Sequence, residues 1–206
     1  MNKKILYILA TYALLVFAGM TSCDNCDDDF NSSKFKTTDI SSKLQYVSYV
    51  GSSFDELDFD DLELDTVSFD RLAIRLKFEQ VDYGINSPFR FNLIQSAYAC
   101  DPAPPTTDER LDSIVIKSTI DFNAQLPAGS NLSQLFDVVV YSNDNYNERF
   151  DLNEYLSTMP AGPNWLILLL KEQPAETGAF SFDIAYHQDG IDNDLFEFTT
   201  ESVVIR

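Results

Sequence analysis

The 206-residue sequence is poor in basic side chains. Its 14 Lys and Arg stand against 33 Asp and Glu, a formal net charge of −19 at pH 7. No basic patch interrupts the acidity. Affinity for nucleic acid depends on Lys and Arg neutralising phosphates, so that class of partner is excluded. Histidine is almost absent: His187 is the only one, and there are three cysteines. A His-rich zinc centre is therefore excluded by count, and no cysteine cluster replaces it. Gly-x-Ser-x-Gly does not occur, so a serine nucleophile has no elbow to sit on. His187 falls on the polar face of its segment beside Asp189 and reads as an exposed strand-end side chain. Internal repeats are absent.

What is present begins at the N-terminus. Lys3 and Lys4 precede an apolar stretch from Ile5 to Phe17, and Gly19, Thr21 and Ser22 are small. That order is the grammar of a removed secretory segment. Met20-Thr21-Ser22-Cys23 resembles the relaxed lipoboxes of Bacteroidota. It predicts a signal peptide over 1–22, cleavage before Cys23 and a palmitate-type lipid anchor there. Two readings compete with it. The uncharged stretch approaches the ~20 residues of a membrane-spanning helix, although Thr11 and Tyr12 weaken it. Ordinary cleavage would instead leave Cys23 a plain thiol. Asp24 to Asp29 reads as a self-repelling acidic tether over 23–32. It also resembles the signal that sends Bacteroidota lipoproteins to the outer face of the outer membrane. The expected location is the outer membrane, lipid-anchored, at the cell surface.

Cleavage removes Lys3 and Lys4 and no acid, taking the net charge from −19 to −21. Such a surface repels anionic lipid, so membrane contact is expected through the lipid on Cys23. With Cys23 acylated, Cys26 and Cys100 remain in an oxidising compartment where pairing is allowed. A Cys26–Cys100 disulfide is one outcome; a mobile Cys26 too far from Cys100 is the other.

Residues 33–206 amount to one domain's length, with enough aliphatic and aromatic side chains for a core. Period-two alternation dominates. Leu72, Ile74, Leu76 and Phe78 oppose Arg71, Arg75, Lys77 and Glu79, the pattern of a half-buried strand. Phe89 to Leu93, Ile114 to Lys117, Phe180 to His187 and Phe196 to Thr199 alternate likewise. Val138 to Tyr141 and Trp165 to Leu170 are continuous apolar runs and predict strands buried on both faces. Further strands are expected over 35–40, 44–50 and 202–205, with a bulge or break near Thr200 to restore facing. Short helical turns are expected after Ser130-Asn131 and after Asp151, where Glu154 completes a capping pattern. Residues 54–65 fit either a helix or a strand, and 143–154 reads as a loop. These segments predict an all-β fold, an antiparallel sandwich of about nine strands with one or two helical turns. A β-barrel is the alternative.

Candidate chemistry is sparse. Asp189, Asp192 and Asp194, with Asn193 and Gly190, offer hard oxygen ligands suited to calcium. The same residues are also what a polar hairpin loop requires. Seven carboxylates lie between Asp55 and Asp65, but glycoside hydrolysis needs two at a set separation across a cleft. Trp165 sits in an apolar run and reads as core rather than as a sugar platform.

Asp112 to Ser118 with Asp121-Phe122-Asn123, then Pro127-Ala128-Gly129 and Asn131-Leu132, resemble a domain-of-unknown-function family of small Bacteroidota lipoproteins. Asp151 to Leu156 and Phe180 to Ile205 add to the likeness. The resemblance implies no catalytic residues. The expectation is a non-catalytic binding or envelope-structural module with no cofactor beyond the lipid. A glycan-binding accessory of a polysaccharide-uptake system is the alternative, and a carboxylate-based hydrolase a further one.

Overall fold

The computed structural model describes residues 34–49, 57–62, 66–83, 106–141 and 147–206. Cys23, Cys26, Cys100 and the Phe89 to Leu93 alternation lie outside them. The chain divides into two compact units, one of residues 1–34 and 83–106, the other of 35–82 and 107–206. In the first, Lys34 and Thr106 form a parallel bridge. The rest of the description concerns the second.

The fold is all-β. Among the described residues twelve strands form three sheets. The largest has six strands. They are β1 (Lys34–Tyr49), β2 (Leu57–Asp61), β4 (Leu72–Tyr83), β6 (Phe136–Tyr141), β7 (Asn147–Asp151) and β8 (Trp165–Leu170). Their order is β2-β1-β4-β8-β6-β7. A three-stranded sheet orders β11 (Asp194–Thr199), β10 (Phe182–Asp189) and β5 (Arg110–Ser118). The third orders β3 (Thr66–Val67), β12 (Val203–Ile205) and β9 (Gly178–Phe180).

Inward side chains of all three sheets share one core. Leu72, Ile74, Leu76, Leu166, Leu168, Leu170, Phe136 and Val138 come from the six-stranded sheet. They pack with Ile114, Ile116, Phe182, Ile184 and Tyr186, and with Phe180, Val203 and Ile205. Edge-on aromatic pairs join the layers: Phe136 meets Phe182 at 5.7 Å and Phe78 meets Tyr186 at 5.5 Å. The six-stranded sheet also buries its other face. Val47, Ala73, Val139, Ile167 and Leu169 form a second cluster there, with Phe59 and Trp165 packed against it. The Trp165–Leu170 run therefore reads correctly as a strand buried on both sides.

Several expectations need correction. The two segments over 35–50 are one strand, β1. The alternation from Phe180 to His187 breaks at Ser181, so that β9 and β10 belong to different sheets. Phe180 and Phe182 are both buried, so alternation continues across the break and conceals it. Part of the supposed loop at 143–154 is β7, paired with β6 from Asp137↔Asp151 to Tyr141↔Asn147. The pairing of β12 with β3 is parallel. The break near Thr200 is present, between β11 and β12.

The helical expectation after Asp151 holds. Helix α1 (Leu152–Ser157) is capped by the Asp151 carboxylate, which accepts from the backbone N–H of Asn153 at 2.9 Å and Glu154 at 3.1 Å. Such a cap contributes about 1 kcal/mol. The same carboxylate meets Lys171 Nζ at 2.6 Å, which together with the cap holds it below the usual carboxylate range. The other turn is a 3-10 turn at Ser133–Leu135.

An arginine-lined cavity as candidate functional site

Beside β1, β2 and the start of β4 lies an open cavity of about 1110 Å³. Ligand pockets typically measure about 300–1,000 Å³. Gln45, Tyr46, Phe59, Asp60, Asp61, Ser68, Arg71, Arg75 and Arg206 are among its lining residues. The chain has six arginines, and three of them meet here.

Each guanidinium arrives by a different route. Arg71 ends the 3-10 turn Phe69–Arg71. It donates to the Tyr46 hydroxyl and lies 5.3 Å from the centre of that ring. Arg75 projects from β4 at the position opposite Ile167 of β8. It is half-buried, and its Nε is buried without a hydrogen-bond partner. Arg206 is delivered by the parallel pairing of β12 with β3. Its N–H donates to Val67 O at 3.1 Å, and its own O accepts from Phe69 N–H at 3.3 Å.

The neutral lining is also unfinished. Gln45 is 4% exposed. Its Nε2 donates to Asp61 Oδ1 at 3.4 Å, but its Oε1 is buried with no partner. Asp61 is taken up by Lys43, whose Nζ lies 2.5 Å away. Hydrogen bonds from Lys43 and then Gln45 hold its carboxyl below the usual range. Among the described residues, Arg71, Arg75 and Arg206 take part in no ion pair.

The residues singled out by sequence fall elsewhere. Asp192 and Asp194 converge on Lys36, which pairs closely with Asp192 and stands 4.0 Å from Asp194. A lysine ammonium thus sits between two of the three calcium candidates. Asp189 turns away, accepting from the Gly190 N–H at 2.8 Å. Among the described residues no three His, Cys, Asp or Glu side chains are grouped to hold a metal ion.

His187 stands near the end of β10, partly exposed, and both of its ring nitrogens have partners. One ring nitrogen pairs with Asp112 Oδ2 at 2.7 Å and the other with Asn193 Oδ1. Asp112 reaches it because β5 carries an extra residue there: Leu111 faces Gln188 and Ser113 faces His187. The Asp112 hydrogen bond, then that of Asn193, raises the imidazole above its ordinary value of 6.5. Stability gained from this contact is full below the ordinary value and is lost as pH rises through the raised one. Because His187 is the only histidine, an NMR titration reads it directly. Asp112→Asn is expected to lower the midpoint, and an unchanged midpoint would remove Asp112 as the cause.

A second polar group lies inside the fold. Glu109, Tyr186 and Gln188 are fully buried and Thr37 nearly so. Glu109 Oε2 accepts from Thr37 N–H at 3.0 Å. Glu109 Oε1, Thr37 Oγ1, the Tyr186 hydroxyl and both amide atoms of Gln188 have no hydrogen-bond partner. Burial pushes the Tyr186 phenol far up, and Tyr155 and Glu109 push it further. Tyr155 itself is raised to about 12 by burial.

Comparison with family models, with curated proteins and with solved structures finds no match for the chain. The site is therefore read from its own geometry. Arg71 and Arg75 share one side of the sequence alternation, although only Arg75 belongs to β4 and Arg71 ends the 3-10 turn before it. Arg206 was not, because only the long-range β3–β12 pairing brings it there.

Proposed function

We propose that the protein is an outer-membrane lipoprotein, anchored through Cys23 and displayed at the cell surface, whose β domain is a non-catalytic binding module. The observation that supports binding is the open cavity itself, whose lining brings together Arg71, Arg75 and Arg206. The hydrolase reading gains no such support.

The glycan-capture alternative is a version of the same reading, favoured by the Tyr46 ring beside the polar lining. A glycan array probed with detergent-solubilised full-length protein tests it. Binding that is lost on Gln45→Ala, with the thermal midpoint preserved, supports the cavity as the site. Failure to bind any glycan removes the glycan version. The anchor has its own test in Cys23→Ala: release of the cleaved product from membranes is expected, and unchanged retention would refute the lipid.

A further inference from the structure

Resting on that reading, we infer that the cavity is selective for an acidic oligosaccharide, one carrying a carboxylate or sulfate that Arg75 and Arg206 grip while Arg71 shapes the wall. Three arginines line one cavity in a chain of net charge −19. Arg149 is neutralised, with Nη2 2.7 Å from Asp137 Oδ2, whereas Arg71, Arg75 and Arg206 take part in no ion pair among the described residues. Of the two carboxylates that share the lining, Asp60 and Asp61, the second is paired with Lys43 at 2.5 Å.

Positioning adds to the argument. The Tyr46 hydroxyl and ring fix Arg71, so its charge is preorganised before a ligand arrives. Arg75 keeps its Nε out of solvent and unpaired. A planar guanidinium presents donors in a fork that matches a carboxylate or sulfate bidentately. The remaining lining favours a saccharide as the carrier of that anion. Thr66 brings a hydroxyl to the lining, and the Tyr46 ring gives an apolar wall.

The test is calorimetric, on full-length protein in a neutral detergent. The probes are a galacturonate hexamer, its methyl ester, a sulfated octasaccharide, its desulfated form, inorganic sulfate and anionic vesicles. At least one acidic oligomer is expected to bind about tenfold or more tightly than its neutral counterpart, and more weakly as salt increases. Arg75→Gln and Arg206→Gln should each remove about tenfold of that affinity, with the melting midpoint held near wild type. If neutral forms bind equally well and Arg75→Gln changes nothing, the anion assignment falls while the binding module stands. Sulfate alone binding as tightly as the sulfated oligomer would overturn the saccharide assignment. So would vesicles outcompeting every oligomer. If no probe binds, both the assignment and the glycan version of the function fall together, whereas the lipid anchor is judged separately through Cys23→Ala.

Discussion

Gly190→Ala should destabilise the protein by about 2–5 kcal/mol, far more than an exposed loop substitution normally does. Gly190 follows β10 with φ of +143°, a conformation that L side chains rarely adopt. A Cβ built there stands 2.5 Å from Asp108 O and 3.0 Å from Glu109 Cα. Both obstacles are backbone and have no rotamer to change. Yielding to the new methyl would move Glu109, whose carboxylate takes the Thr37 N–H and whose carbonyl takes the Gly162 N–H, each at 3.0 Å. The matched comparison is Gly129→Ala. Gly129 has φ of +81° but nothing within 4 Å of its added Cβ, so only the backbone term remains, about 1–2 kcal/mol. Urea midpoints at constant m measure both. Equal losses at the two positions would show that the Asp108 clash contributes nothing.

The second large effect concerns β8. Leu168→Ala should cost about 2–5 kcal/mol, as deletion of a fully buried leucine usually does. Ile167→Ala is expected to cost a comparable amount, although Ile167 points the other way. Leu168 belongs to the main core and Ile167 to the cluster on the opposite face with Val47, Ala73, Val139 and Leu169. The two side chains serve different clusters but share one stretch of β8 backbone, so the double substitution measures the coupling between the faces. A loss of only a few tenths of a kcal/mol at Ile167 would mean that the second cluster is not a true core.

These two residues also show what the sequence could report. A continuous run from Trp165 to Leu170 has one economical explanation, burial on both sides, and the structure has it. Leu72, Ile74 and Leu76 against Arg75 and Lys77 announced the two faces of β4 in the same way. Periodicity describes facing only. It carried straight through Ser181 because Phe180 and Phe182 both point inward, though they serve different sheets. The Asn-rich approach to β7 hid a strand, because Asn147, Glu148 and Arg149 have little strand preference of their own and are recruited by pairing with β6. The site was half legible. Arg71 and Arg75 are four residues apart at the start of β4, one in the 3-10 turn and one in the strand, while Arg206 depends on a parallel pairing between segments remote in the chain. The aspartates near Gly190 looked like metal ligands for a similar reason. Their partner Lys36 is 156 residues from Asp192, beyond the reach of local pattern.

The strand order carries a timetable as well as a geometry. β4 pairs with β8, β5 with β10, and β3 with β12, so three of the nine strand pairings join segments synthesised far apart. Folding dominated by such pairings proceeds in about milliseconds to seconds rather than microseconds. The cavity is complete only when segments remote in the chain have met, since the pairing of β12 with β3 carries Arg206 to it.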